Sequence, residues 1–151
     1  MANQDAARTE ISRLLACQLS AVLATQQSGQ PYTSLMAFAA ASNLAHLFMA
    51  SGRNTAKFRN IQQDNRVAVL IDDRANRPDD LQAAAALTVI GKAEETRGRQ
   101  LEQARTLFLA RHPALETFVL DANTALLTVA VSRYVLVTRF QDVLVLDMDG
   151  Q

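Results

Sequence analysis

The sequence has one cysteine, Cys17, in 151 residues. A lone thiol excludes an intramolecular disulfide and a cysteine-based metal cluster. Cys17 stands among Leu15, Ala16 and Leu19, a setting that predicts a small buried apolar side chain. No apolar run approaches the roughly 18 residues that cross a membrane. The first residues, MANQDAARTEISRLL, are polar and mixed in charge. A signal peptide needs a basic start and a continuous apolar stretch, so none is expected, and the chain reads as a soluble cytoplasmic protein. Net charge is also lacking, because 15 basic residues balance 15 acidic ones. The global positive field of a non-specific nucleic-acid binder is therefore absent, and only a local basic patch around Arg53, Lys57 and Arg59 is left. There is no long charge run, no internal repeat and no low-complexity tract, although alanine is dense from Ala83 to Ala86.

Several catalytic signatures are missing too. No G-x-S-x-G occurs, and no Rossmann glycine fingerprint, so a nicotinamide would have no domain of its own. His46 and His112 are far apart, with no carboxylate at ligand spacing, and no metal site is expected. His46 shares a strand face with Phe48, which predicts packing. His112 precedes Pro113 at a helix end, where a cationic ring suits the last carbonyls. Asp72 and Asp73 are adjacent on a strand end, so their side chains diverge and paired acid–base work is not expected.

What is present is a chain that is 49 % hydrophobic, enough for one core in a single domain over residues 1–151. Ala7, Ile11, Leu14 and Leu15 recur at helical spacing and predict a helix over Asp5 to Ala16. Strands are predicted at Leu19 to Thr25, Tyr32 to Ala41 and Leu44 to Ala50 as an antiparallel meander, with Gly29 in the first turn. A helix follows to about Gln63, with Asn54 as its cap and Phe58 and Ile61 on its apolar side. Further strands are predicted at Arg66 to Asp72, Ala84 to Glu95, Ala125 to Val131, Tyr134 to Phe140 and Val143 to Leu146. Gly91 suggests a bulge in the long one. A charged loop spans Asp73 to Asp80. A helix is predicted from Arg97 to Arg111, then a short helical piece at Pro113 to Val119. Six to eight mostly consecutive strands with three or four helices argue against a parallel doubly wound sheet. Tyr32, Met36 and Phe38 face one way and Leu35, Ala37 and Ala39 the other; Val67, Val69 and Ile71 likewise oppose Ala68 and Leu70. Strands apolar on both faces predict a small antiparallel barrel covered outside by a helix or a second subunit.

The most informative segment is Leu44 to Ile61, LAHLFMASGRNTAKFRNI. An apolar strand enters Ser51-Gly52-Arg53-Asn54, and a helix opens with Thr55 and Lys57 in its first turn. The first-turn N–H groups have no intrahelical acceptor and carry about half a positive charge. With a lysine beside them they describe a phosphate site.

Four pieces in order resemble the pyridoxamine 5′-phosphate oxidase-like FMN-binding split-barrel family. They are VLAT (Val22 to Thr25), GQPYTSLMAFA (Gly29 to Ala39), FMASGRNTAKFRNIQQDNRVAVLI (Phe48 to Ile71) and LTVIGKAEE (Leu87 to Glu95). Later segments, FLARHPALETFV (Phe108 to Val119) and RYVLVTRF (Arg133 to Phe140), resemble the family's haem-utilisation branch. The resemblance implies a mostly β split barrel with flanking helices, a homodimer, and one FMN in each of two interface clefts. It places Ser34, Leu35 and Met36 along the flavin ring through backbone groups. It places Ala50 and Ser51 at the ribityl-phosphate, and Thr55, Ala56 and Lys57 on the phosphate, with Lys57 as the paired cation.

The vitamin-forming oxidase has an arginine where Ser34 stands, a lysine at Ala39 and a glutamine at Ala86. It also has a C-terminal arginine-rich segment with no counterpart before Gln151. Pyridoxamine phosphate oxidation is therefore not expected. Nor does a haem-ligating C-terminal extension follow Phe140. The resemblance leaves an FMN-dependent oxidoreductase of unknown substrate, with no catalytic side chain assigned. The alternative is a non-catalytic dimer that binds flavin or haem for sensing or carriage.

Overall fold

A computed structural model of the protein describes residues 2–148, so the ends of the expected 1–151 domain lie outside the described residues. The chain runs α1 (Ala2–Cys17), β1 (Ser20–Gln27), β2 (Gln30–Ala37), β3 (Ala39–Ala40), β4 (His46–Gly52), α2 (Ala56–Gln63), β5 (Arg66–Asp72) and α3 (Asp80–Ala83). It continues with β6 (Ala86–Glu95), α4 (Arg99–Arg111), a 3₁₀ turn (Pro113–Leu115), α5 (Glu116–Leu120), β7 (Thr124–Thr138) and β8 (Asp142–Asp147). The eight strands form one antiparallel sheet in the order β2-β1-β5-β6-β7-β4-β3, with β8 also on β7. β2 and β3 are two halves of one chain run interrupted at Phe38. β2 pairs with β1, while Ala39 and Ala40 pair with Phe48 and Leu47 of β4. The sheet thus curls back on itself as a split barrel, and the expected meander closes it.

Alternation decides what fills the barrel. Leu23, Met36, Phe38, Leu47, Met49, Val69, Ile71, Leu87, Val89, Leu127, Val129, Tyr134 and Leu136 meet in one core. Ile11 and Leu14 of α1 join it, so the helical stripe read from the sequence is buried as expected. A second, smaller core lies outside the sheet, where Ala104, Phe108 and Val119 of α4 and α5 pack on Ala39, Ala50 and Leu126. β3, β4 and β7 are therefore apolar on both faces because helices cover them.

Several expectations are corrected. Cys17 is exposed rather than buried. It follows Leu15 by two positions, about 200° around the helix, and so leaves the buried stripe. The cap of α2 is Thr55, not Asn54. Thr55 has the extended backbone of an N-cap, and its hydroxyl accepts from Phe58 N. The third strand begins at His46, because Leu44 adopts φ 67° in a turn closed by Leu44 N donating to Ala41 O. The strands predicted at Ala125 to Val131 and Tyr134 to Phe140 are one strand, β7. Ser132 is the extra residue there, skipped between the pairs Ile90–Arg133 and Gly91–Val131, so the irregularity is a bulge and not a break. Phe140 lies beyond the strand in a turn where Arg139, Phe140 and Gln141 all have positive φ. α3 begins at the last residue of the charged loop, Asp80, whose Oδ1 and Oδ2 accept from Ala75 N and Arg77 N.

Gly91 is required by close approach. A Cβ there would collide with the Ala130 carbonyl oxygen and sit 3.0 Å from Val129 Cγ1. Backbone cannot yield as a flexible side chain does. Gly91→Ala is therefore expected to cost about 3 kcal/mol. Denaturation should show this as a fall in melting midpoint of about 6 to 12 °C.

Tyr134 ties the barrel to the turn before β4, its hydroxyl donating to Leu44 O at 2.7 Å. Burial pushes its phenol well above the ordinary range. Because the folded pKa is the higher one, this stability is fully present below about pH 10, where the unfolded phenol ionises, and is lost progressively as pH rises from there toward the folded value. Tyr134→Phe should lower stability by about 1 to 2 kcal/mol at pH 7. It should also flatten the fall in urea midpoint as pH rises above about 10.

Candidate functional site

β4 carries Ala50 and Ser51 to the rim of the barrel, where Gly52 pairs with Thr124 at the start of β7. The turn that follows is tied by short contacts. Ser51 is buried, and its hydroxyl donates to Gly52 O at 3.1 Å and lies 3.2 Å from Thr55 Oγ1. Thr55 Oγ1 also donates to Gly52 O at 2.9 Å and accepts from Phe58 N at 3.3 Å. One carbonyl thus gathers two hydroxyls and fixes the start of α2. Asn60, buried on the same helix, donates to Thr25 Oγ1 at 3.1 Å and holds α2 against β1.

Lys57 stands in the first turn of this helix, half-buried. It makes no hydrogen bond or ion pair with any of the described residues. Ala56 and Lys57 contribute first-turn N–H groups with no intrahelical acceptor. Arg53 behaves differently. Its backbone N donates to Asn123 O at 2.8 Å and its Nε to Ala122 O at 3.2 Å. Its Nη1 pairs with Glu95, and its guanidinium lies 5.9 Å from the Phe58 ring centroid. Arg59 donates to Asn54 O at 3.4 Å. Of the three cations in the expected patch, Lys57 alone among the described residues is unengaged.

The other predicted residues lie on neighbouring elements. α2 packs against both β1 and β2, and β2 against β4. Ser34 is half-buried, Met36 is buried in the barrel and Leu35 is 77 % exposed on the outer face. Along Gln30–Ala37, β2 is hydrogen-bonded only to β1 within the sheet, so its other edge presents alternating backbone N–H and C=O groups. Ala50 faces the second core and not solvent, so only its backbone is presentable at the rim. Ala39 is fully buried there beneath Phe108. A lysine ammonium at that position would be desolvated among apolar groups, in keeping with the expected departure from the vitamin oxidase.

The histidines follow packing. His46 stacks on Phe48 with centroids 6.4 Å apart. His112 caps α4, but its ring Nε2 donates to Phe38 O at 2.7 Å and does not serve the helix's own last carbonyls as expected. Asp72 and Asp73 do diverge: Asp72 meets Arg74, while Asp73 accepts from Ala85 N and pairs with Arg13. No group of His, Cys, Asp or Glu that could hold a metal occurs among the described residues. No helix among them is long and apolar enough to cross a membrane.

Three shallow recesses lie around the turn and not on it, and none of them is lined by Ser51, Thr55, Ala56 or Lys57. Leu35 lines a cavity of about 170 Å³ with Val22, Leu70, Asp72 and Arg74. A larger one of about 560 Å³ lies between α1 and the β7–β8 hairpin. A third, of about 290 Å³, lies behind Arg53 and is bordered by Glu95, Arg97 and Arg105. The Glu95 cluster had no sequence signal, because Arg53 and Glu95 are 42 positions apart.

No curated protein matches the sequence. Solved structures share the fold. A heme binding protein of Mycobacterium smegmatis superposes with TM-score 0.80 at 21 % identity, over 93 % of this chain and 57 % of that one. ChuZ of Campylobacter jejuni gives 0.81 at 15 % identity, over 95 % of this chain and 60 % of its own. An FAD-binding protein of Mesorhizobium loti gives 0.68 at 19 % identity, over 85 % and 90 %. The chain therefore spans little more than half the length of the first two. The family model for pyridoxamine 5′-phosphate oxidase matches residues 7–138, nearly the whole described chain. The chain belongs to the pyridoxamine 5′-phosphate oxidase-like split-barrel family.

Proposed function

We propose that this protein binds FMN through the Ser51–Lys57 turn, as a homodimer, and serves as an oxidoreductase of unknown substrate. The observation that carries the reading is Lys57, a half-buried cation with no partner among the described residues, in the first turn of a helix whose cap is already tied by Ser51 and Thr55. An unpaired cation beside free N–H groups matches a phosphate in charge and in hydrogen-bond sense. In this reading the backbone N–H groups of Thr55, Ala56 and Lys57 hold the phosphate, with the Lys57 ammonium as its paired cation. The free edge of β2 at Ser34 to Met36 meets the ring, and the backbone of Ala50 and Ser51 borders the ribityl chain. Bound flavin supplies hydride and electron chemistry; the chain supplies position and shielding from water. The one acidic side chain paired with this turn among the described residues, Glu95, is held by Arg53 and Arg97, and no catalytic role is assigned to it.

The partner is a second copy of the chain. Leu35, Val22, Leu70, Thr88, Val135 and Val145 are direct cross-strand neighbours, one after another, from β2 to β8. Direct neighbours share a face, so this is one outer row across six strands, uncharged throughout. Ion pairs Arg74–Asp72 and Arg133–Asp147 stand beside it. An apolar centre with a polar rim is the anatomy of a protein interface. The row includes Leu35, beside the ring-facing edge, so a second copy there would supply a wall against that edge.

A second reading is a flavin- or haem-binding dimer without turnover. It is favoured by the apolar filling of Ala39 and Ala50 beneath Phe108, which leaves no charged group for substrate at that place. Titrating the purified protein with FMN and with haem separates the two cofactors. FMN that binds and then turns over with a nicotinamide supports the first reading, while FMN that binds without any donor or acceptor supports the second.

A further inference from the structure

We propose a second oxyanion site, apart from the Thr55–Lys57 turn, in the 290 Å³ recess bordered by Arg53, Glu95, Thr96, Arg97, Arg105 and Thr124. Its ligand class is a small phosphate or a phosphorylated solute. The inference does not depend on the flavin reading.

Charge count is the first argument. Three guanidiniums line the recess and one carboxylate does. Glu95 is 12 % exposed and shared, one oxygen with Arg53 and the other at 2.5 Å from Arg97 Nη2. A single carboxylate divided between two cations leaves one positive charge uncompensated. Arg105 takes its counterion from Glu102, which is 76 % exposed and outside the recess lining. Such a surplus in a partly desolvated hollow attracts an anion more strongly than the same charges in water.

Unspent donors are the second argument. Arg105 Nε is buried and has no hydrogen-bond partner. Buried charged donors are rarely left so, and each one calls for an explanation. Thr124 borders the recess, and its hydroxyl makes no hydrogen bond with any described residue and is open to solvent. Arg97 has an 81 % exposed side chain, free to swing one nitrogen toward a ligand while the other keeps Glu95. An oxyanion in the recess would accept from Arg97 and the Thr124 hydroxyl and lie within the field of the Arg105 guanidinium. Guanidinium planes suit phosphate oxygens better than ammonium groups do.

Location gives the site a consequence. Arg53 lines this recess and is also the first residue after Gly52 in the turn that leads to Thr55. An anion that draws Arg53 from Glu95 acts on the same turn from behind.

The test is titration of the full-length protein with inorganic phosphate and with pyrophosphate, ionic strength held constant with sodium chloride. Backbone amide shifts and the melting midpoint are read together. Saturable shifts centred on Arg97, Gly98 and Thr124 are expected. Arg105→Gln and Arg97→Gln should each weaken binding roughly tenfold. Lys57→Ala should leave these shifts unchanged. Arg97 is largely exposed, so its variant folds even if Arg105→Gln does not. The proposal is overturned if no saturable shift occurs, if Arg97→Gln binds as the parent does, or if Lys57→Ala alone abolishes the response.

Discussion

Lys57→Ala is expected to weaken FMN binding by roughly ten- to a hundredfold while leaving riboflavin binding unchanged. A charge-assisted hydrogen bond contributes about 1.5 to 3 kcal/mol, and 1.4 kcal/mol is a factor of ten. Lys57 has no partner among the described residues to compensate its loss, and its removal leaves no buried group unpaired. The fold should therefore be indifferent, with a melting midpoint within about 1 °C of the parent. Riboflavin lacks the phosphate and so reports the ring site alone. Fluorescence quenching of each flavin measures the pair of affinities. Equal loss for both ligands would mean that Lys57 acts on the ring or on the fold, and no loss for FMN would remove the phosphate assignment. Thr55→Ala is the informative companion, because Thr55 also caps α2; it should cost about 1 kcal/mol of stability as well as affinity.

Leu35→Glu is expected to convert the dimer to a monomer. Leu35 is 77 % exposed in the single chain, so a carboxylate there costs little within one protomer. In a dimer closed over the apolar row, two such carboxylates near a symmetry axis or facing apolar partners would each be desolvated without a counterion, a cost of several kcal/mol. Light scattering should show the mass halved, and FMN affinity should fall with it, because the cleft loses its second wall. Val145→Glu, at the far end of the same row, should act in the same direction. A parent protein that is monomeric at all concentrations would remove this part of the account, and FMN binding by that monomer would show the cleft to be complete in one chain.

Much of the barrel was legible because its signals are local. Val67, Val69 and Ile71 alternate, Gly91 interrupts a long strand, and Ala7, Ile11, Leu14 and Leu15 repeat at helical spacing. Each of these patterns has one physical outcome. The misreadings share a different cause. Whether Asn54 or Thr55 caps α2 depends on where the Gly52 carbonyl lies, and both residues are competent caps in isolation. Whether Ser132 ends a strand or bulges within it depends on Gly91, 41 positions away, admitting the Ala130 carbonyl. The Phe38 interruption is likewise set by two different neighbours, β1 before it and β4 after it. At the site, the strand, glycine turn and helix pattern placed Lys57 correctly in a first helical turn, but it could not show that Lys57 is the unengaged cation of the three. That follows from Arg53 reaching Glu95, Ala122 and Asn123, contacts made only when the chain has folded. The burial of Ala50 was hidden for the same reason, since α4 and α5 cover it from far along the chain.

The central claim is that the turn from Ser51 to Lys57 holds the phosphate of FMN. Its most direct test is titration of the purified parent protein with FMN, riboflavin and haem, following flavin fluorescence and the haem absorption band. Saturation at one FMN per chain is expected, with riboflavin binding weaker by roughly ten- to a hundredfold and displacement of FMN by excess inorganic phosphate only at high concentration. Equal affinity for FMN and riboflavin, or saturable haem binding with no FMN binding, would contradict the claim.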